Sequence, residues 1–295
     1  VDLKKEKLYF ARDHFGIKPA YYYINGNIFM FSSEIKSFLS HPEYNSTLND
    51  EVMDEQFLFG YCAGKNTLLK NTYQVNPGEY LELSKGKIKS KIYFRNSYRQ
   101  KNEINITDAI YEVEDRIKKS VEEQLLSDVE VGCQLSGGLD SSLITYFSRE
   151  HFDAKLETFS IIFDQSNISE ESWIKEVCKQ TKSISNLYLF KEDYFIDNLF
   201  SGSWHLDQPI NLHNTLAIKF LGENISKKLK VVLSGEGADE IFAGYQRYFE
   251  LAYRQKYINV LNKFSSLPMF GKTLKNKFKL GDNFRDYVIF SSTHS

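Results

Sequence analysis

Apolar positions along this 295-residue chain follow two different rhythms. Up to about residue 95 they alternate or gather into short aromatic and β-branched runs: KLYFARD, AYYYI, NIFMFSS, GEYLELS and KIKSKIYF. Turn signals at Asn25-Gly26-Asn27, Pro77-Gly78 and Lys85-Gly86 part these runs, so they predict strands. SSEIKSFL (Ser32–Leu39) and NDEVMDEQFLFGY predict short helices among them. The polar stretch RNSYRQKNEIN, Arg95 to Asn105, then interrupts the pattern and reads as a linker.

From Thr107 the rhythm becomes helical. Ile110, Val113, Ile117, Val121 and Leu125 recur at helix spacing, with Thr107 as the expected N-cap. Three short apolar strands follow, VEVGCQL, LETFSIIF and LKVVL, each leading into a helix-like segment. Strands alternating with helices predict a mostly parallel sheet covered on both faces. Ligands of such sheets bind beyond the carboxyl ends of the strands. The expected organisation is a β-rich part over 1–95, a linker over 96–106, and an α/β domain over 107–295.

Composition narrows the function classes. A net charge of −2 and the lack of a basic tract argue against nucleic acid as partner. The aromatic run Tyr21-Tyr22-Tyr23, without interleaved basic residues, reads as sheet packing rather than base stacking. No apolar run reaches the roughly 18 residues of a membrane span, and VDLKKEKLYF lacks a signal peptide's apolar core. Cys62, Cys133 and Cys178 lie far apart without metal-ligand spacing, which fits a reducing, cytoplasmic compartment. His205 and His213 likewise match no zinc spacing. The chain opens on Val1 and stops at RDYVIFSSTHS with no closing element, as a piece of a longer protein would.

The chemistry concentrates at two strand ends. In VGCQLSGGLDSSLI the strand ends near Leu135 and a helix begins around Asp140, with Leu143, Ile144 and Phe147 on its buried face. Gly137 and Gly138 allow close backbone approach, so amide N–H groups can face an anion, and Ser136, Ser141 and Ser142 add hydroxyls. No lysine follows the glycines, which separates this loop from Walker A. Asp140 at its mouth makes sense where Mg²⁺ bridges to phosphate oxygens. KVVLSGEGADEIFAGYQRY repeats the layout: Val231–Leu233, then Ser234-Gly235-Glu236-Gly237, then Asp239 and Glu240 at a helix start whose inward face is Ile241, Phe242 and Tyr245. Two such loops, with acids at the ends of two parallel strands, can converge on one nucleotide.

These residues carry a family resemblance. SGGLDSS resembles the PP-loop of ATP pyrophosphatases, which cleave ATP to AMP and pyrophosphate. LLSDVEVGCQLSGGLDSSLI, ETFSIIF and KVVLSGEGADEIFAGYQRY, in that order, are similar to the synthetase domain of glutamine-dependent asparagine synthetases. ARDHFGIKPAYYY and SSEIKSFLSHP resemble the closing part of that family's glutaminase domain.

The resemblance implies an α/β protein: a parallel-sheet PP-loop domain preceded by a β-rich part of an αββα glutaminase of the N-terminal-nucleophile type. It implies ATP as substrate, Mg²⁺, and aspartate with glutamine or ammonia as small-molecule partners, and it leaves room for a homodimer. Residue by residue, it implies pyrophosphate at Ser136, Gly137, Gly138, Leu139, Asp140, Ser141 and Ser142, and Mg²⁺ at Asp140 and Asp239. It further implies nucleotide contacts at Ser234, Gly235 and the Gln134 backbone, an adenine border at Ile161, and Glu236 beside the attacking ammonia. In WHLDQPINLHNTLAIKFL, which matches a segment near the substrate site, Asp207 and Pro209 fit best. The family's terminal cysteine nucleophile has no counterpart among the three internal cysteines, so this stretch alone is expected to hydrolyse no glutamine. Two other readings stay open: amidation of a different carboxylate, such as a sugar acid of surface polysaccharide or a β-lactam precursor, and a non-catalytic nucleotide-binding piece.

Overall fold

The alternating first third becomes two antiparallel sheets in the computed structural model, which describes residues 1–96, 104–151, 156–164, 170–212, 214–246, 248–250 and 254. Strand β1 (Lys7–Ala11) is followed by β2 (Tyr21–Asn25) and β3 (Ile28–Ser32) around the Asn25-Gly26-Asn27 turn. Helix α1 (Met53–Phe59) precedes β4 (Thr72–Gln74), β5 (Glu79–Ser84) and β6 (Lys87–Ile92). The sheet orders are β1-β5-β6 and β3-β2-β4.

Period two explains the packing. Tyr22 joins Ala20, Val75 and Leu81 in one core, while its neighbour Tyr23 turns the other way onto Ile35 and Phe38. Burial of its phenol pushes the Tyr22 pKa up to about 12. Ser32–Leu39 yields a 3₁₀ helix over Ile35–Ser40, and the NDEV stretch opens with another at Asp50–Val52 before α1.

Helix α2 runs over Ile106–Leu125, so Thr107 lies inside its first turn rather than capping it. Then come β7 (Val131–Gln134), α3 (Leu139–Glu150), β8 (Glu157–Phe163), α4 (Glu171–Thr181) and β9 (Ile184–Phe190). Helices α5 (Glu192–Asp197), α6 (Leu199–Leu206) and α7 (Thr215–Ile225) lead to β10 (Val231–Leu233) and α8 (Ala238–Phe242).

Two compact units result: Val1–Ile106 with Glu192–Lys219, and Thr107–Lys191 with the chain from Phe220 onward. Within the first, Asp207 takes a left-handed conformation after α6. Its carboxylate accepts from the N–H groups of Ile35 (2.8 Å) and Lys36 (3.1 Å) and from Lys36 Nζ (3.2 Å), capping a 3₁₀ helix some 170 residues away in sequence.

In the second unit β10, β7, β8 and β9 form one parallel sheet in that order. Val131 and Cys133 face α2 and α3 through Val121 and Phe147, while Leu135 meets Ile174 and Cys178 of α4. The opposite side is closed by Leu221, Ile225 and Leu229 over Phe159. The chain steps outward from β7 to β8 to β9, then returns to place β10 against the free edge of β7. That reversal makes the gap between β7 and β10 the switch point where an open α/β sheet binds its ligand. No helix among the described residues is long and apolar enough to cross a membrane.

Candidate functional site

Both glycine loops leave the sheet at this switch point. Val231 pairs with Val131 and Leu233 with Cys133, so the two chains exit side by side. The first loop is anchored by fully buried Leu135, whose N–H donates to Phe159 O at 2.9 Å. Gly137 follows at φ +93, a region that favours glycine, and a Cβ there would press on Trp173 and Glu170. Gly138 caps α3 without a side chain of its own, so the first amide groups of that helix have no side-chain oxygen as partner.

Serines knit the loop together. Ser141 Oγ accepts from Ser136 N–H (3.2 Å) and lies 3.0 Å from Ser136 Oγ. Gly138 N–H donates to Ser136 Oγ (3.2 Å), and Ser142 Oγ donates to Gly138 O (2.7 Å). The cradle is thus shaped by its own hydroxyls.

The second loop lies against the first. A Cβ on Gly235 would come within 2.8 Å of Ser141 N and 2.9 Å of Asp140 Cβ, although its φ is not left-handed. Glycine is needed there for contact. Glu236 N–H reaches Ser234 Oγ at 3.4 Å, and Gly237 turns at φ +92 into α8. The Glu236 side chain is exposed.

The two loops enclose a pocket of about 150 Å³ lined by Gln134, Ser136, Gly138, Asp140, Ser141, Ser234, Gly235, Glu236, Gly237, Asp239 and Tyr245. It is smaller than the roughly 300 Å³ and upward of whole-ligand sites, a size that accommodates part of a ligand such as a phosphate chain. Gly137, Leu139, Ser142 and Ile161 are outside the lining. Leu139 is exposed at the start of α3, and Ile161 packs beside Phe159 in the sheet. Gly237 and Tyr245 belong to the lining but were not expected there.

The inward face expected for α8 needs correction. The helix ends at Phe242 because Ala243 turns left-handed. Ile241 and Phe242 are exposed, and Tyr245 lies beyond the helix, its hydroxyl donating to Glu240 Oε1 at 2.8 Å. Asp207 does not line the pocket either, and His213 lies outside the described residues.

Charge decides what the pocket can hold. Among its lining residues are three carboxylates, Asp140, Glu236 and Asp239, and no lysine or arginine. A bare polyphosphate would be repelled by them despite the amide and hydroxyl donors. A divalent cation removes the conflict, and Mg²⁺ commonly takes only one or two carboxylates beside phosphate oxygens and water. No group of three or more His, Cys, Asp or Glu suited to a metal occurs among the described residues, but Mg²⁺ shared with a polyphosphate does not require one. Asp140 and Asp239, hard oxygen donors in the first turns of α3 and α8, fit it.

None of the three cysteines is among the residues lining this pocket. Cys133 and Cys178 are buried in the core, and burial, then nearby Glu55, pushes the Cys62 thiol above its usual range.

Residues 112–290 match the family described as asparagine synthase, and residues 1–94 match the glutamine amidotransferase domain. The chain is 35% identical over 278 residues to a putative glutamine-hydrolysing asparagine synthetase 2 of Methanocaldococcus jannaschii, covering 91% of this chain and 53% of that protein. It is 34% identical over 246 residues to glutamine-hydrolysing asparagine synthetase 1 of Bacillus subtilis, covering 82% of this chain and 38% of that one. It therefore spans about half or less of these relatives' lengths. A solved NH₃-dependent NAD synthetase of Campylobacter jejuni aligns at TM-score 0.33 and 14% identity, over 46% of this chain and 60% of its own, too loose a likeness for comparing residues.

Proposed function

Because the chain belongs to the asparagine synthase family, we propose that it serves ATP-dependent amidation of a carboxylate through an acyl-adenylate, with aspartate as acceptor and asparagine as product. The single observation that carries this reading is the pocket at the switch point. It offers backbone and hydroxyl donors for a phosphate chain and carboxylates for the cation that must accompany it.

The chemistry runs in two steps. A carboxylate cannot be amidated directly near neutral pH, because its oxygen is a poor leaving group. In the first step the acceptor's carboxylate oxygen attacks the α-phosphorus of ATP and the bond to pyrophosphate breaks. Ser136, Gly138 and Ser141, with Gly137 and Ser142 shaping the loop, hold the departing pyrophosphate. Gln134, Ser234 and Gly235 border the nucleotide, with Ile161 on the adenine side. Asp140 and Asp239 would hold Mg²⁺, which supplies charge neutralisation of the phosphates.

In the second step ammonia attacks the acyl carbon, the single bond from that carbon to the bridging oxygen breaks, and AMP leaves with the oxygen and the bond's electron pair. The nitrogen must lose protons as the amide forms. Glu236, exposed at the pocket rim on a loop with glycines on both sides, is the group that takes or orients them. Ammonia drawn from glutamine belongs to the region matching the amidotransferase domain, in a protein of the relatives' length. None of the three internal cysteines is assigned to that hydrolysis, and two of them, Cys133 and Cys178, are buried in the core.

Exchange of labelled pyrophosphate into ATP tests the reading. Aspartate is expected to trigger exchange in the full-length protein, and sugar acids are not. Exchange triggered by a sugar acid alone would move the acceptor to that class, and exchange with no acid tried would remove the adenylation step.

A further inference from the structure

Gly244 stands two residues beyond the end of α8, outside the pocket lining, and its glycine has no backbone explanation. Its φ is not in the left-handed region that favours glycine, unlike those of Gly137 and Gly237. It is exposed, so no buried packing demands a small residue. What it lacks is room on one side. A Cβ built there would collide with Oδ1 of Asp239 and lie 2.9 Å from the Asp239 Cγ.

The local turn brings the two together. After α8 the left-handed Ala243 folds the chain back, and the N–H groups of Ala243 and Gly244 both point to the Asp239 carbonyl, the latter at 3.0 Å. The Tyr245 hydroxyl closes the same turn by donating to Glu240 at 2.8 Å. The backbone of residue 244 is thereby pinned beside the Asp239 side chain.

We propose that Gly244 is a positioning residue: its missing side chain is the space that lets the Asp239 carboxylate take its place in the pocket. The inference rests on the reading of Asp239 as a Mg²⁺ holder and adds the element that sets its direction. The severe part of the clash is with the free end of a side chain, while the Asp239 Cα lies at 3.3 Å, a tight contact that a shift of a few tenths of an ångström relieves. A methyl group at 244 can therefore be relieved by swinging the carboxylate aside about χ1. The fold survives such a swing, and the metal site does not. Ordinary packing glycines behave differently, because their substitution strains the backbone or the core and costs stability first.

The test uses the full-length protein, inorganic pyrophosphate and Mn²⁺ as the metal probe, with bound Mn²⁺ read from loss of the free-ion electron paramagnetic resonance signal. Gly244→Ala is expected to weaken Mn²⁺ binding by about 10-fold or more, the range seen when groups orienting a metal ligand are removed. Its melting temperature should stay within a few degrees of wild type. Asp239→Asn should weaken binding as well, and adding Gly244→Ala to it should cost nothing further, because the group being steered has already lost its charge. Wild-type binding by Gly244→Ala, or a loss that adds in full to that of Asp239→Asn, overturns the inference while leaving Asp239 as a ligand. Wild-type binding by Asp239→Asn removes the metal role itself, and the inference with it. Should Gly244→Ala fail to fold alone, the Asp239→Ala background decides. Folding restored there supports the steric account, and continued failure overturns it.

Discussion

The two glycine loops look alike in sequence but are built differently. After β7 the loop is bound up in its own serine hydroxyls and runs into the twelve-residue α3, which buries Ser141, Thr145, Phe147 and Ser148. After β10 the loop runs into the five-residue α8, which buries nothing, and it carries Glu236 on an exposed turn. A ring of internal hydrogen bonds makes a cradle whose shape exists before its anion arrives. The short, glycine-rich second arm contributes Glu236 and Asp239 to the pocket lining, and the first contributes Asp140. The first loop is braced by its own hydroxyl hydrogen bonds, and under the proposed function it would hold the phosphates while the second would carry the base: this division is what the comparison teaches.

The largest expected effect tests the feature the loops share. Asp140→Asn and Asp239→Asn should each lower acceptor-dependent pyrophosphate exchange by about 10²–10³-fold, since each removes one carboxylate charge from the site proposed for the Mg²⁺ that neutralises the phosphates. Equal losses from both loops support a shared cation. A loss confined to Asp140 would make the second loop a bystander.

Next comes the second loop alone. Glu236→Ala should slow amide formation about 100-fold, as removal of a general base does, while leaving pyrophosphate exchange and melting temperature near wild type. Unchanged asparagine formation with a lowered melting temperature would reduce Glu236 to a turn residue.

These residues also show how much was legible beforehand. β7, β8 and β10 could be read directly as short runs of Val, Ile, Leu and Phe, those of β7 and β10 ending at glycine-serine clusters. β9 was missed: ISNLYLF places Ser185 and Asn186 in an edge strand, where polar side chains break the apolar run without breaking the ladder. Residues 241, 242 and 245 keep helical spacing, which predicts a helix face that includes Tyr245. Nothing in that spacing reveals that Ala243 would turn left-handed. The Asp207 cap on the 3₁₀ helix was invisible for another reason, since sequence period carries no information about partners some 170 residues apart.

A smaller effect examines the contact between the loops. Gly235→Ala forces a methyl group onto the backbone of Ser141 and Asp140, an overpacking expected to cost about 1–3 kcal/mol of stability. Chemical denaturation measures it, and an unchanged midpoint would mean that the loops do not press on each other. The smallest effect lies within the cradle. Ser142→Ala removes the 2.7 Å bond to Gly138 O, worth about 0.5–1.5 kcal/mol, and nucleotide affinity should fall only a few-fold. A total loss of affinity would instead put Ser142 directly on the phosphates.

The central claim is that the pocket holds pyrophosphate as a leaving group, so that the acceptor's oxygen ends on AMP. Aspartate labelled with ¹⁸O in its side-chain carboxylate, turned over by the full-length protein with ATP and ammonia, follows that oxygen directly. Mass spectrometry should find one ¹⁸O in each AMP and none in pyrophosphate. Label appearing in inorganic phosphate, with ADP as the nucleotide product, would contradict the account.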